Sequence, residues 1–357
     1  MIKFWREFMS SYPEDAESLD SLLFHISTLR AATCNFAESN RLGEGGFGAV
    51  YKGVLLDGQE IAVKRLSQTS DQGIQELKNE LVLVAKLQHK NLVRLVGVCL
   101  QEHEKLLVYE YMPNRSIDTI LFDPEKRKEL DWGKRFKLIN GIARGLQYLH
   151  EDSQLKIIHR DLKASNVLLD SDYTPKISDF GLARLFGRDQ SQEVTNRVRL
   201  YGTRICHAWP LFYEVRCGIL MLEIISGRRS NTSFDIEHHV DLLSLVWKHW
   251  TTGTVDEILD SSLRGDAPGR QILKCVHIGL LCVQSNPDDR PMMSTVNVML
   301  SSSNVSLSAP LKPVFFIPQS GVYSAIDSET HPTASQSIGR SGALSRNEVS
   351  VTELEPR

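Results

Sequence analysis

Residues 42–64 read LGEGGFGAVYKGVLLDGQEIAVK, a glycine-rich turn that continues into a hairpin-like stretch and ends on a lysine. The first seven residues contain the pattern G-x-G-x-x-G, which alone is a weak signal because it also opens dinucleotide-binding folds. A dinucleotide fingerprint must run into a helix, whereas Gly48 is followed by β-patterned residues and an Asp57-Gly58 turn signal. We therefore predict a flexible hairpin over a triphosphate, with Lys64 on the next strand.

Lys64 needs a carboxylate partner, and the segment that follows offers two. Apolar residues at three- and four-residue spacing predict a helix over residues 71–87. Glu80 lies beside Leu77 at the margin of the apolar stripe, whereas Glu76 lies farther round toward solvent. We predict that Glu80 pairs with Lys64, and that Glu80→Ala impairs phosphate positioning more than Glu76→Ala.

Two further motifs carry complementary chemistry: HRDLKASN, which begins at His159, and DFG, which begins at Asp179. Asp161 can accept the proton of an attacking hydroxyl or orient that hydroxyl, and Lys163 can offset charge on the transferred group. Asn166 and Asp179 are hard oxygen ligands suited to two Mg²⁺ ions. The order and spacing of the three motifs argue against coincidence.

The pattern of elements changes along the chain. It predicts a small antiparallel sheet with one helix, followed by a larger helical region. The strand signals fall at 49–51, 54–56, 61–63, 92–100, 106–111, 157–158, 167–169 and 176–177, and the helix signals at 132–149, 218–225, 242–250 and 272–283. Residues 1–36 are expected to form a polar leader, and the Ser- and Thr-rich residues 301–357 a disordered tail.

Composition excludes several classes of protein. The 357 residues include 41 Lys and Arg against 44 Asp and Glu, so the formal net charge of −3 favours neither nucleic acid nor an anionic membrane as partner. No run approaches the roughly 20 apolar residues of a membrane helix. The six cysteines form no C-x-x-C pair, and we expect reduced thiols in a cytoplasmic protein.

The three motifs together resemble those of the protein kinases, and more narrowly those of the plant receptor-like kinases of the cysteine-rich (DUF26) type. The likeness covers about residues 28–300, and residues 347–357 are similar to the tails of that family. The resemblance implies an α+β, bilobal fold, with a small lobe over residues 37–112 and a mainly helical lobe over residues 113–300. It also implies ATP and Mg²⁺ as cofactors, and Ser/Thr residues of proteins as substrates.

The resemblance assigns further roles. Lys163 implies serine/threonine specificity, and Arg160 implies control by phosphorylation at Thr195 or Ser191. Tyr109 would be the gatekeeper residue beside the adenine. The residues implied at the nucleotide are Leu42, Gly43, Gly45, Gly46, Phe47, Gly48, Val50, Ala62, Lys64, Tyr109, Glu110 and Met112, with Val50 and Ala62 against the base and with backbone groups of Glu110 and Met112 at the hinge.

The family's extracellular cysteine-rich modules and membrane helix have no counterpart in this sequence. The resemblance is to the intracellular portion, beginning in the juxtamembrane segment. It therefore implies a place in the cytoplasm or at the inner face of the plasma membrane, with receptor-complex proteins as further partners.

Residues 199–217 depart from the family pattern. They read RLYGTRICHAWPLFYEVRC where the family has an Ala-Pro-Glu motif and then an Asp that opens a buried helix. These residues can be encoded by a codon string that, read one base later, gives GYMAPEYAMHGLFSMKSDV, which is the missing segment. We infer an out-of-frame reading, which puts Arg204 where the family's Glu would pair with Arg290, and Arg216 where the helix-opening Asp would hold the catalytic loop.

Three functions remain open from the sequence. The first is a serine/threonine kinase, and the second is a nucleotide-binding pseudokinase or scaffold that docks partners without transferring phosphate. The third is an inactive, truncated product that barely folds, because an unpaired buried Arg typically costs about 3–5 kcal/mol.

Overall fold

The computed structural model describes residues 22–45, 48–66, 77, 79–81, 83, 87–101, 104–185, 213–230, 241–263 and 268–314. A small lobe built on a five-stranded antiparallel sheet is followed by a larger, mainly helical lobe. The predicted α+β, bilobal fold is confirmed.

The sheet of the small lobe has the strand order β1-β2-β3-β5-β4. Its strands are β1 (Arg41–Gly45), β2 (Gly48–Val54), β3 (Glu60–Leu66), β4 (Leu95–Leu100) and β5 (Lys105–Glu110). The predicted Asp57-Gly58 turn joins β2 to β3, with Gly58 at φ +85°, and Leu55 N–H donates to the Gln59 carbonyl at 2.9 Å. Leu55 and Leu56, predicted as strand, lie in this turn instead.

The helix that carries Glu80 is only partly described. Leu77, Asn79, Glu80, Leu81 and Leu83 are helical, and Leu77 and Leu81 are buried, as an apolar stripe requires. Glu76 and the remaining residues of the predicted 71–87 helix lie outside the described residues.

The last residues of the predicted leader make contacts with the sheet of the small lobe. Phe24 N–H donates to the Val98 carbonyl at 2.8 Å, and Val98 N–H donates to the Leu22 carbonyl at 2.7 Å. Helix α1 (Ile26–Ala32) follows and places Leu29 in a hydrophobic cluster with Ile61, Val63, Cys99, Leu106 and Val108. The sheet is therefore covered on the side opposite the main core.

Leu29→Ala is expected to lower the free energy of unfolding by about 2–5 kcal/mol, because the lost methyl groups leave a cavity between α1 and the sheet. Leu29 is fully buried, whereas Leu23 in the same segment is 45% exposed. Urea unfolding measures the difference, with Leu23→Ala as the matched control. Equal small losses in the two variants would show that the leader does not pack on the sheet.

Seven helices with complete bounds occur in the described residues. After α1 they are α2 (Ile117–Leu121), α3 (Trp132–Gln147), α4 (Tyr213–Ser226), α5 (Leu242–Thr252), α6 (Gly269–Cys282) and α7 (Met293–Ser301). Helix α3 begins where predicted, because the Asp131 carboxylate accepts the Lys134 N–H at 2.8 Å. Helices α2 and α7 have no counterpart in the predicted pattern.

Four short strands lie at the junction of the lobes. They form two antiparallel pairs, β6 (Ile157–Ile158) with β9 (Arg184–Leu185), and β7 (Val167–Leu169) with β8 (Pro175–Ile177). The loop between β6 and β7 carries the HRDLKASN motif, and the DFG motif follows β8. The two pairs of strands therefore bring both motifs to one place.

The described chain continues past the predicted start of the tail at residue 301. Ser285 N–H donates to the Lys312 carbonyl at 3.1 Å, and Val314 N–H donates to the Val283 carbonyl at 2.8 Å. The His277 ring contacts the Ser308 carbonyl at 2.7 Å. Residues within 302–314 therefore contact the helical lobe, and the rest of the predicted tail lies outside the described residues.

Candidate functional site

One face of the small-lobe sheet carries the predicted nucleotide residues. Val50 on β2 is directly opposite Lys64 on β3, so their side chains share a face, and Ala62 lies on that face two residues before Lys64. Ile61 and Val63 alternate with them and point into the cluster beneath α1. The period of two thus separates the face that carries Val50, Ala62 and Lys64 from the face that packs beneath α1.

The glycines around the β1–β2 turn differ in whether the fold has room for a side chain at their positions. Gly48 has φ +127°, and a Cβ there would lie 2.0 Å from the Arg65 carbonyl oxygen, so the fold itself requires glycine. A Cβ at Gly43 or Gly45 would meet nothing within 4 Å. Packing therefore does not demand glycine at these two positions, and space remains beside the backbone.

Lys64 joins the two lobes. Its Nζ lies 3.2 Å from Oε2 of Glu80 and 3.0 Å from Oδ1 of Asp179. The side chains of Lys64 and Glu80 are only 13% and 3% exposed. Burial alone would lower the pKa of Lys64, but the two carboxylates outweigh burial and raise that pKa, so Lys64 stays charged.

Tyr109 fixes the position of Glu80 from the other side. The Tyr109 hydroxyl donates to Oε1 of Glu80, while Lys64 engages Oε2. Burial and the negative charge of Glu80 raise the pKa of Tyr109 well above its ordinary value, which keeps the hydroxyl protonated as a donor. The sequence placed Tyr109 beside the adenine and gave no sign of this hydrogen bond.

The loop between β6 and β7 holds Asp161 between two donors. Lys163 Nζ lies 2.8 Å from Asp161 Oδ2, and Asn166 Nδ2 lies 3.0 Å from the same oxygen. Asn166 Nδ2 also donates to the Asp161 carbonyl at 2.8 Å. Arg160, the residue before Asp161, has a backbone φ of +67°, an uncommon conformation for a residue other than glycine.

His159 connects this loop to the DFG motif, a role that the sequence reasoning missed. Its Nε2 lies 2.8 Å from the Ser178 carbonyl oxygen, and Asp161 N–H donates to its Nδ1 at 3.3 Å. Burial lowers the pKa of His159, so the ring is neutral and can donate through one nitrogen and accept through the other. Ser178 N–H also donates to the Asn166 carbonyl at 2.9 Å.

The donor chemistry fits a divalent cation. Because Asn166 uses its Nδ2 as a donor to Asp161, its Oδ1 could bind a metal, and the Asp179 carboxylate, which Lys64 contacts at Oδ1, could supply a second oxygen ligand. No group of three His, Cys, Asp or Glu side chains in the described ranges could hold a metal ion. Two protein oxygens supplemented by phosphate oxygens and water are typical of Mg²⁺ sites.

The other residues predicted at the site fall into those that the structure describes and those that lie outside the described residues. Glu110, at the end of β5, directs its carboxylate to the Arg94 N–H and to Lys176 instead of to the Lys64 cluster. Met112 is buried, and its carbonyl accepts the Arg115 N–H at 3.2 Å. Leu42 is partly exposed on β1. Four predicted residues, Gly46, Phe47, Ser191 and Thr195, lie outside the described residues.

The segment that departs from the family pattern is described only from Tyr213 onward, so Arg204 lies outside the described residues. Helix α4 begins at Tyr213, five residues before the predicted start at Gly218. Arg216 is exposed on this helix. Arg290 donates to the Gln284 and Ser285 carbonyls at 2.8 and 3.1 Å, so this guanidinium is not left without acceptors.

Glu214, in the first turn of α4, is a buried carboxyl that we expect to make the stability of the chain depend on pH. Burial raises its pKa from 4.5 to about 7, and its Oε2 has no hydrogen-bond partner in the described structure. A carboxyl whose pKa is raised on folding stabilises the fold below its unfolded pKa, and that contribution is lost as the pH rises toward 7.

The wild type is therefore expected to lose about 1–3 kcal/mol of its free energy of unfolding between pH 5 and pH 8. Glu214→Gln should not show this loss, because glutamine does not ionise. The free energy of unfolding in urea at pH 5, 6.5 and 8 measures this. Glu125→Gln is the control, because the Glu125 side chain is 81% exposed. Parallel pH profiles for the wild type and Glu214→Gln would contradict the expectation.

Comparison with known proteins agrees with this geometry. Residues 36–206 match the family described as protein tyrosine and serine/threonine kinase. Residues 36–206 therefore carry a protein kinase domain, and the glycine-rich hairpin, the Lys64–Glu80 pair and the HRDLKASN and DFG motifs all lie inside this range. The match ends at residue 206, within the 199–217 segment.

Within this class, the chain is similar to plant receptor-like kinases of the cysteine-rich type. It is 58% identical over 355 residues to cysteine-rich receptor-like protein kinase 6 of Oryza sativa subsp. japonica, a match that covers 96% of this chain and 51% of the relative. It is 47% identical over 351 residues to cysteine-rich receptor-like protein kinase 10 of Arabidopsis thaliana, covering 96% of this chain and 51% of that relative. The chain thus spans about half the length of the curated relatives it matches.

Across the residues that the structure describes, no helix combines the length and the apolar character needed to cross a membrane.

Proposed function

We propose that this chain is a serine/threonine protein kinase that transfers the γ-phosphoryl group of Mg·ATP to Ser and Thr hydroxyls of proteins. The contact between Lys64 of the small lobe and Asp179 of the helical lobe, at 3.0 Å, carries the proposal. It supports the proposal because Lys64 would bind phosphate and Asp179 would bind a metal ion, and the two side chains are in contact.

The nucleotide would bind between the lobes. The open space beside Gly43 and Gly45 would allow backbone N–H groups to approach phosphate oxygens. Gly46, Phe47 and Gly48 are the other residues of the glycine-rich motif that we propose at the phosphates. Leu42, Val50 and Ala62 would contact the adenine, beside Tyr109. Backbone groups of Glu110 and Met112 would bind its edge.

The catalytic loop would act on the substrate hydroxyl. Asp161 would accept or orient the hydroxyl proton, since its Oδ2 is held by Lys163 and Asn166. Lys163 would offset charge on the phosphoryl group, and Glu80 would keep Lys64 in place. Mg²⁺, bound by Asn166 and Asp179, would supply charge neutralisation on the phosphate oxygens. Transfer would then depend on positioning and electrostatics.

The names of the relatives favour a role in receptor-like signalling. Proteins of a receptor complex would be partners, and the chain would act in the cytoplasm or at the inner face of the plasma membrane. Phosphorylation at Thr195 or Ser191, answered by Arg160, would control it. We place the small lobe at residues 22–112 and the helical lobe at residues 113–314.

A second candidate is a nucleotide-binding pseudokinase or scaffold. It is favoured by the exposed Arg216 and by the loss of the Ala-Pro-Glu motif in residues 199–217.

Sequencing the transcript tests the origin of this segment. A message that encodes these residues in frame would show that they are real, and the restored reading would show an out-of-frame artefact.

A radiolabelled phosphate assay with a general protein substrate separates the two functions. We expect label incorporation by the wild type that is lost in Asp161→Asn. Equal incorporation in both proteins would refute the proposed enzyme, and a rise of the unfolding midpoint with Mg·ATP without transfer would favour the scaffold. No rise and no transfer would favour the inactive, truncated product.

A further inference from the structure

The side chain of Glu110 makes a contact between the lobes that the proposed nucleotide site does not use. Its Oε1 accepts from Lys176 Nζ at 2.9 Å and from the Arg94 N–H at 2.8 Å. Lys176 lies on β8 of the helical lobe, and Glu110 ends β5 of the small lobe. The two side chains are 15% and 20% exposed, so solvent screens this ion pair only in part.

Backbone hydrogen bonds surround the pair. Val93 N–H donates to the Ile177 carbonyl at 2.9 Å, and Ile177 N–H donates to the Asn91 carbonyl at 2.9 Å. Asn91 Nδ2 also donates to the Pro175 carbonyl at 2.9 Å. Residues 91–94 lead into β4 of the small lobe, yet they are bonded to a strand of the helical lobe.

Strand β8 leads directly into the candidate catalytic centre. Ser178, which follows it, bonds to the Asn166 carbonyl through both its N–H and its hydroxyl. Asp179 comes next and contacts Lys64. Lys176 is therefore three residues from Asp179 on a strand whose other contacts fix the loop that holds Asn166.

We propose that Lys176 and Glu110 form a latch that holds the two lobes at the separation at which Lys64 reaches Asp179. Lys176 is then a positioning residue: it acts through β8 and does not touch the nucleotide. The proposal rests on the proposed kinase function and adds to it a determinant of nucleotide affinity, because Lys64 and Asp179 approach the phosphates from different lobes.

The latch requires a cation at residue 176. Methionine retains most of the apolar stem of lysine but leaves Glu110 with the Arg94 N–H as its remaining partner in the described contacts. Arginine restores the positive charge and the donors. Lys137 offers a matched control, since its Nζ donates to the Asp172 carbonyl at 2.6 Å at the far end of the β7–β8 hairpin, away from Glu110.

The experiment compares the wild-type chain with Lys176→Met, Lys176→Arg and Lys137→Met. Amide hydrogen exchange of Val93 and Ile177, measured without nucleotide, reports on the bonds between the lobes. We expect about three- to tenfold faster exchange in Lys176→Met, and a rise of similar size in KM for ATP with a smaller change in kcat. Lys176→Arg should restore both values, and Lys137→Met should resemble the wild type.

Adding Glu110→Gln to Lys176→Met should change neither the amide exchange rates nor KM for ATP much further, because the pair acts as one unit. Exchange and KM in Lys176→Met equal to those in Lys137→Met would overturn the latch, and so would a fall in KM. If the wild type transfers no phosphate, the proposed function fails by itself. The exchange rates and the shift of the unfolding midpoint with Mg·ATP then still decide the latch.

Discussion

Lys64→Met is expected to lower kcat/KM for phosphoryl transfer by about 100-fold or more, as does the removal of a preorganised group that stabilises transition-state charge. The variant loses the cation that contacts Glu80 and Asp179 at 3.2 and 3.0 Å. It also leaves the carboxylate of Glu80, 3% exposed, without its ion-pair partner. The variant would then lack both the positive charge near the phosphates and the contact between Lys64 and Asp179 that joins the lobes.

A radiolabelled phosphate assay measures the loss of transfer, and the shift of the unfolding midpoint with Mg·ATP measures the loss of binding. Lys52→Met is the matched control, because Lys52 lies on β2 of the same sheet and pairs with the exposed Glu60. We expect the control to retain transfer. Transfer by Lys64→Met at the level of the control would remove Lys64 from the mechanism.

Asp260→Ala is expected to lower the free energy of unfolding by about 3–5 kcal/mol, because it leaves the guanidinium of Arg135 buried without its counter-ion. Arg135 is fully buried on α3, and its Nη2 lies 3.0 Å from Asp260 Oδ2. Its Nη1 donates to the Ile224 carbonyl at 2.7 Å, which ties α3 to α4. A domain with a total stability of about 5–15 kcal/mol would lose much of it.

Acid should reproduce part of this effect. Burial alone would raise the pKa of Asp260, but the Ser262 N–H and the charge of Arg135 outweigh burial and hold that pKa below its ordinary value of 3.8. The contribution is therefore present above pH 3.8 and is lost as the pH falls below it.

Urea unfolding at pH 7 and pH 3 tests both statements. We expect the difference between the wild type and Asp260→Ala to shrink at pH 3. Ser262→Ala is the control, because it removes one hydrogen bond to Arg135, at 3.0 Å, and should cost about 1 kcal/mol. A loss in Asp260→Ala no larger than in this control would show that the pair does not hold the helical lobe together.

The sequence determined the features that depend on local pattern. A glycine-rich turn followed by β-patterned residues predicted the strands β1, β2 and β3. The local conformation explains the glycine at residue 48, because its φ of +127° and the nearby Arg65 carbonyl leave no room for a side chain. Helical periodicity put Glu80 and not Glu76 at the edge of the apolar stripe, and Lys64 contacts Glu80. The motif spacing singled out Asp161, Asn166 and Asp179 before any contact was known.

Only the tertiary structure decided which distant residues meet. Residues 22–36 and 302–314 have the polar pattern of a leader and a tail, yet backbone hydrogen bonds join them to β4 and to residues 283–285. Apolar side chains of the first segment also pack in the cluster that contains Leu29. The turn of the Glu110 side chain toward Lys176, 66 residues away, likewise has no local signal. Periodicity shows which face of an element is apolar, but the partner of a polar side chain depends on how elements far apart in the chain come together.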